Sequence, residues 1–179
     1  DVLMRFDTGR AHALSGWPPS NMIHQPSIEQ VLRARVVACD FVDARFGAAY
    51  RDHETSGEVI TVHLDTHGKA SKTYCRFLIG CDGANSAVRA NAGLSLVDLG
   101  FSERWLVIDT KVIDSSRLPP HNLQICDPER PTTSVRMGAG RHRWEFMLKA
   151  EENEDEVSAP ASVANLLSGW DVDGAVELE

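Results

Sequence analysis

The stretch of this sequence richest in chemistry is Gly80-Cys81-Asp82-Gly83-Ala84-Asn85-Ser86-Ala87-Val88-Arg89. Two glycines around an acidic residue permit a sharp turn and let backbone N–H groups approach a ligand closely. Asn85 or Ser86 can cap a helix running to about Asn91, and a helix start presents unpaired donors and a partial positive charge. Such a junction suits a pyrophosphate. Asp82 would repel one unless its carboxylate accepts a bond from a hydroxyl or orients the loop, while Arg89 could offset that charge or reach a phosphate. The plainer alternative is an ordinary strand-turn-helix junction in which Asp82 caps the turn and Arg89 is a solvated helix charge. Short glycine motifs by themselves leave both readings open.

Other reactive residue types carry less. His63 and His67 are four apart, but they fall on a strand and its turn rather than on one helix face, so a surface role is expected and no metal site. Gly138-Ala139-Gly140 lacks the third glycine of a dinucleotide fingerprint because position 143 is Arg, and it reads as a hairpin turn. Trp105, Trp144 and Phe146 could line an aromatic pocket, but aromatics at alternating strand positions are more often core. Cys39, Cys75, Cys81 and Cys126 include no CxxC pair and read as reduced thiols of a cytoplasmic protein. Glu151 to Glu156 reads as a solvated acidic loop.

The elements that must position these residues emerge from periodicity. Asp1 to Ser20 shows no period and reads as loop. Pro26 in a first helical turn precedes Ile28, Val31, Leu32 and Arg35, the spacing of a short amphipathic helix. β-rich runs at Val36–Val42, Arg45–Asp52, Val59–Leu64 and Thr73–Ile79 are separated by turns at Ser56-Gly57 and His67-Gly68, which predicts a meander. Phe77-Leu78-Ile79 then runs into the glycine turn. Further strands are expected at Trp105–Val112, Leu123–Cys126, Thr132–Met137 and Arg143–Leu148, with a short helix over Val163–Trp170 and an acidic end after them.

Composition narrows the function classes. The chain has 179 residues, enough for one ordinary domain and a sizeable core. A hydrophobic fraction of 42% and a charged fraction of 25% are those of a folded globular chain. A net charge of −8 and a pI near 5.3 argue against broad attraction to nucleic acid or anionic lipid. No apolar run approaches the roughly 20 residues of a membrane helix, and Asp1 to Arg10 lacks a signal-peptide pattern.

The string GCDGANSAVR resembles the Asp-Gly motif of the class A FAD-dependent aromatic-ring hydroxylases. Other segments agree in order along the chain. Gly16-Trp17-Pro18 and then Met22-Ile23-His24-Gln25-Pro26-Ser27-Ile28-Glu29 are similar to the segment that family places before a helix, where a glutamine contacts the flavin, and Gln25 occupies the matching position. Phe101 to Val107, Gln124 to Pro128 and Arg143 to Leu148 look most like the 3-(3-hydroxyphenyl)propionate hydroxylases. Neither an N-terminal GxGxxG nor the family's later Gly-Asp motif is present, so the chain is expected to be the middle portion of a longer enzyme, binding FAD weakly or not at all by itself.

The resemblance implies an α+β chain, the middle part of a para-hydroxybenzoate-hydroxylase-like FAD fold, with residues 1–100 as a partial FAD-binding domain and 101–179 as a partial substrate-binding domain. It implies FAD as cofactor, NADH or NADPH as co-substrate, and Gln25, Asp82, Gly83 and Arg89 as cofactor-binding residues. In the intact parent, reduced FAD and oxygen would form a flavin hydroperoxide that hydroxylates a phenolic ring, leaving the protein to position substrate and exclude water. The partners expected are a phenolic small molecule and oxygen, with no nucleic acid and no membrane, and a homo-oligomer is compatible with the reading. The rivals are a non-catalytic β-rich interaction domain and another flavoprotein with the Asp-Gly motif, such as an epoxidase, reductase or halogenase.

Overall fold

Alternation of buried and less buried side chains organises the central strands of the larger sheet. The computed structural model describes residues 1–7 and 14–179. Contacts divide the chain into one unit of residues 1–32 with 102–179 and another of residues 33–101. The helix α1 (Gln25–Val37) crosses that division, and none of its residues is buried.

The unit of residues 33–101 holds an antiparallel meander, β1 (Ala48–Ser56), β2 (Val59–Thr66) and β3 (Lys69–Cys75), in the order β1-β2-β3. Its turns lie at Gly57 and at His67-Gly68, as expected. His67 and Gly68 both have positive φ, 52° and 79°, the backbone of the hairpin turn that matches strand twist. The five-residue helix α2 (Ala87–Asn91) is tied to β1 by Asn91, whose side-chain amide donates to the Tyr50 hydroxyl at 3.2 Å and to the Arg51 carbonyl at 3.0 Å.

The other unit carries β4 (Trp105–Val112), β5 (Leu123–Ile125), β6 (Thr132–Gly138), β7 (Arg141–Met147), α3 (Glu154–Val157), α4 (Pro160–Ser168) and β8 (Val176–Leu178). The five strands form an antiparallel sheet in the order β5-β6-β7-β4-β8. Along β7 every second residue is buried, His142, Trp144 and Phe146. Trp144 and Phe146, with Ile108 of β4, meet Val163 and Leu167 of α4, and Val172 and Ala175 beyond it, in one core. Trp144 is fully buried, its ring edge-on to Trp170 at 6.0 Å. The Gly138-Ala139-Gly140 turn between β6 and β7 has positive φ at all three residues, which glycine adopts freely at its two ends.

Several expectations change. Val36–Val42 is no strand: α1 runs on through Val37, and residues 38–42 form turns and loop. The β-branched pair Val36-Val37 lowers helix propensity only slightly, so the established helix continues through it. Phe77-Leu78-Ile79 belongs to no strand either, with Phe77 and Ile79 exposed; a strand needs a neighbour to bond, and β3 ends at Cys75. The loop expected over Asp1–Ser20 holds for residues 1–7 and 14–20, which form neither helix nor strand, and residues 8–13 lie outside the described residues.

The acidic segment is more ordered than a solvated loop. Asn153 caps α3 through bonds from the Asp155 and Glu156 N–H groups. Arg130 donates to both carboxylate oxygens of Glu152, at 3.1 and 2.5 Å, and Arg104 donates to the Lys149, Ala150 and Glu152 carbonyls. Sequence shows an acidic cluster but not the distant arginines that meet it.

Candidate functional site

The Asp-Gly turn is held by its own side chains. The Ser86 hydroxyl donates to Asp82 Oδ1 at 2.5 Å, and the Val88 N–H donates to Asp82 Oδ2 at 3.1 Å. Ser86 Oγ also accepts from the Arg89 N–H at 3.0 Å, which makes Ser86 the N-cap of α2. The Ser86 hydroxyl, and after it the Val88 N–H, hold the Asp82 carboxyl below the usual carboxylate range. Two donors on one carboxylate favour its charged form.

Glycine is required at position 80 by packing and at 83 by conformation. A Cβ on Gly80 would lie 2.9 Å from Val88 Cβ, closer than real contacts allow. Gly83 has φ +82°, where an L side chain is strained, and a Cβ there would meet nothing within 4 Å. The backbone at Gly83 is therefore open on the side where a side chain would stand, while its carbonyl accepts from the Ser86 N–H.

Arg89 donates through Nη2 to the Ala84 carbonyl at 2.8 Å. It closes the turn from the helix side. Asp82, Gly83 and Arg89 thus come together in one turn, while Gln25 belongs to the other unit. Gln25 opens α1, and its side-chain amide donates to Glu29 Oε1 at 2.8 Å. Ahead of it, the His24 carbonyl accepts from the Ser27 and Ile28 N–H groups, and His24 Nδ1 lies 2.7 Å from Ser27 Oγ.

The remaining candidates resolve by burial. Trp144 and Phe146 are core, and Trp105 is partly exposed. His63 is 3.9 Å from Asp52 and 3.8 Å from Glu54, and His67 lies beside Gly47. Among the described residues no three His, Cys, Asp or Glu side chains are grouped to hold a metal. All four cysteines are free.

One polar pair lies outside the expected set. His142 Nε2 is 2.8 Å from Ser134 Oγ in the buried face of the sheet, and the imidazole packs on Trp144 at 4.3 Å. Burial, and then the nearby Arg136, push His142 down to about 4. The alternation in β7 that marks Trp144 and Phe146 as core also places His142 on their face. That signal is present in the sequence.

Comparison with known proteins agrees along the chain. The FAD binding domain family matches residues 4–176. A probable NADH-specific resorcinol 4-hydroxylase of Rhodococcus jostii (strain RHA1) is 35% identical over 150 residues, 83% of this chain and 28% of that protein. A 3-(3-hydroxy-phenyl)propionate/3-hydroxycinnamic acid hydroxylase of Mycobacterium sp. (strain JLS) is 33% identical over 175 residues, 92% of this chain and 30% of that protein. The chain therefore spans less than a third of the length of these relatives. The crystal structure of p-nitrophenol 4-monooxygenase from Pseudomonas putida DLL-E4 superposes with a TM-score of 0.75 at 18% identity, over 88% of this chain and 40% of that one. This likeness establishes the fold.

Proposed function

Because the chain belongs to the FAD binding domain family, we propose that the whole protein is an FAD-dependent monooxygenase that uses NADH or NADPH to hydroxylate a phenolic aromatic ring. The observation that carries the reading is the family match over residues 4–176, within which the Asp82–Arg89 turn leaves open backbone at Gly83. The named activities of the two hydroxylase relatives support a phenol as substrate, and the resorcinol enzyme's NADH preference supports NADH as the reductant.

In this reading Gln25 helps hold the flavin, Asp82 and Gly83 organise the turn that faces the dinucleotide, and Arg89 locks that turn through the Ala84 carbonyl. Residues 1–100 would contribute part of the FAD-binding domain, and residues 101–179 part of the substrate-binding domain. FAD, when bound, supplies acceptance of the reducing equivalents and activation of oxygen, and the protein binds, orients and shields. The described residues include no helix long and apolar enough to cross a membrane, and we place the enzyme in the cytoplasm.

The test is NADH-dependent oxygen uptake by the full-length protein with resorcinol and with 3-(3-hydroxyphenyl)propionate, together with assay of the hydroxylated product. Uptake stimulated by either phenol with matching product is expected. A full-length protein that neither retains FAD nor responds to any phenol would overturn the proposal.

A further inference from the structure

We propose that Ser86 is a positioning residue of the nucleotide-facing turn, acting through Asp82 by turning its carboxylate toward the start of α2 and away from the open backbone at Gly83. The inference rests on the reading that this turn faces the dinucleotide, and it concerns how the turn tolerates an acidic residue there.

Ser86 is buried while residues 81–85 before it and Ala87 after it are exposed. All of its polar groups are used. Its hydroxyl donates to Asp82 Oδ1 at 2.5 Å and accepts from the Arg89 N–H at 3.0 Å. Its N–H donates to the Gly83 carbonyl, and its own carbonyl accepts from the Ala90 N–H. Asp82 is thereby fixed at one oxygen by a side chain and at the other by the Val88 N–H.

A carboxylate at the tip of a phosphate-facing turn would oppose the ligand by like-charge repulsion. Drawn back onto the hydroxyl and the helix N–H, it instead holds the turn in shape. Removing the hydroxyl frees Oδ1 and leaves the Asp82 carboxylate held at Oδ2 alone, by the Val88 N–H, so that its charge can turn outward. The harm then comes from a liberated charge as well as from a lost hydrogen bond. A purely structural serine would not behave in this way.

The experiment is FAD titration of the full-length apoprotein, monitored by flavin fluorescence quenching, with thermal melting measured on each variant. Ser86→Ala should raise the FAD Kd roughly three- to ten-fold, the net effect of one ordinary hydrogen bond, and Ser86→Thr should restore it to within about two-fold. Asp82→Asn placed in the Ser86→Ala background should bind FAD more tightly than Ser86→Ala alone, because an amide carries no charge to repel the phosphates. If Ser86→Ala does not fold, Ser86→Cys, with its weaker donor, supports the same comparison. An unchanged Kd with a lowered melting temperature, or a double variant that binds more weakly than Ser86→Ala, overturns the role of Ser86 and leaves the flavoenzyme reading standing. Failure of the unsubstituted full-length protein to bind FAD would overturn that reading itself.

Discussion

Two side chains give the protein a pH response with a defined sign. His142 is held near 4, well below the ordinary histidine value of 6.5, by burial and then by Arg136. The folded state therefore binds fewer protons there than the unfolded state, and the stability this contributes is present above about pH 6.5 and lost as pH falls toward 4. Glu152 is lowered from 4.5 to about 2 by Arg130 and then by the Lys149 N–H. Its contribution is present above about pH 4.5 and lost as pH falls through 2. Melting temperature should thus decline in two adjoining windows on acidification. Glu152→Gln should make the lower window shallower without removing it, since Asp82 and Asp109 are also held low by their donors, and His142→Gln should flatten the upper one. A melting temperature independent of pH between about 7 and 4 would contradict the assignment for His142. The pairing of Glu152 with Arg130 spans 22 residues, so no local pattern announces it.

Among the elements, β7 does the most to hold its unit together. Trp144 is fully removed from water on the core face, in contact with His142 and Trp170. Trp144→Ala should destabilise by about 3–5 kcal/mol, the usual range for emptying a large aromatic site, read as a lowered denaturant midpoint. Trp105→Ala, at the partly exposed start of β4, should lower it markedly less. Equal effects would mean that alternation along the sheet does not decide burial. Among the described residues, two polar atoms of this core lack hydrogen-bond partners, His142 Nδ1 and Trp144 Nε1, and their rings lie side by side. Strand positions were legible here because alternation and the Gly138-Ala139-Gly140 turn agree. Phe77-Leu78-Ile79 misled because β-propensity reports fitness for a sheet and not the presence of a partner strand.

At the scale of the whole molecule, the chain leaves a run of apolar side chains in water at Leu94, Leu96, Val97, Leu99 and Phe101, besides Phe77 and Ile79. Contiguous apolar surface is what another segment or a partner covers, and the chain spans less than a third of its curated relatives. We expect the isolated 179-residue chain to bind an apolar fluorescent dye such as ANS strongly and the full-length protein to bind it weakly. Comparable dye binding by both would argue that these side chains stay exposed in the complete enzyme. The formal charge of −8 disfavours a phosphate-bearing ligand at long range, so any such affinity has to come from a local basic or backbone-amide site.

Sequence alone determined the β4 boundaries, the hairpin turns and the glycine turn at Asp82, and located the three strands of the meander approximately, because each depends on contacts within a few residues: side-chain alternation, glycine at positive φ, and a capping residue, Asn85 or Ser86, close after an aspartate. It also carried the family resemblance, since GCDGANSAVR and Gln25 lie in local strings. Tertiary structure decided which arginines meet Glu152. It also decided that β8 pairs with β4 although its three residues, Val176–Leu178, carry too little pattern to be read as a strand. Those outcomes rest on atoms brought together across the fold, and burial, charge pairing and strand partnership are properties of that arrangement.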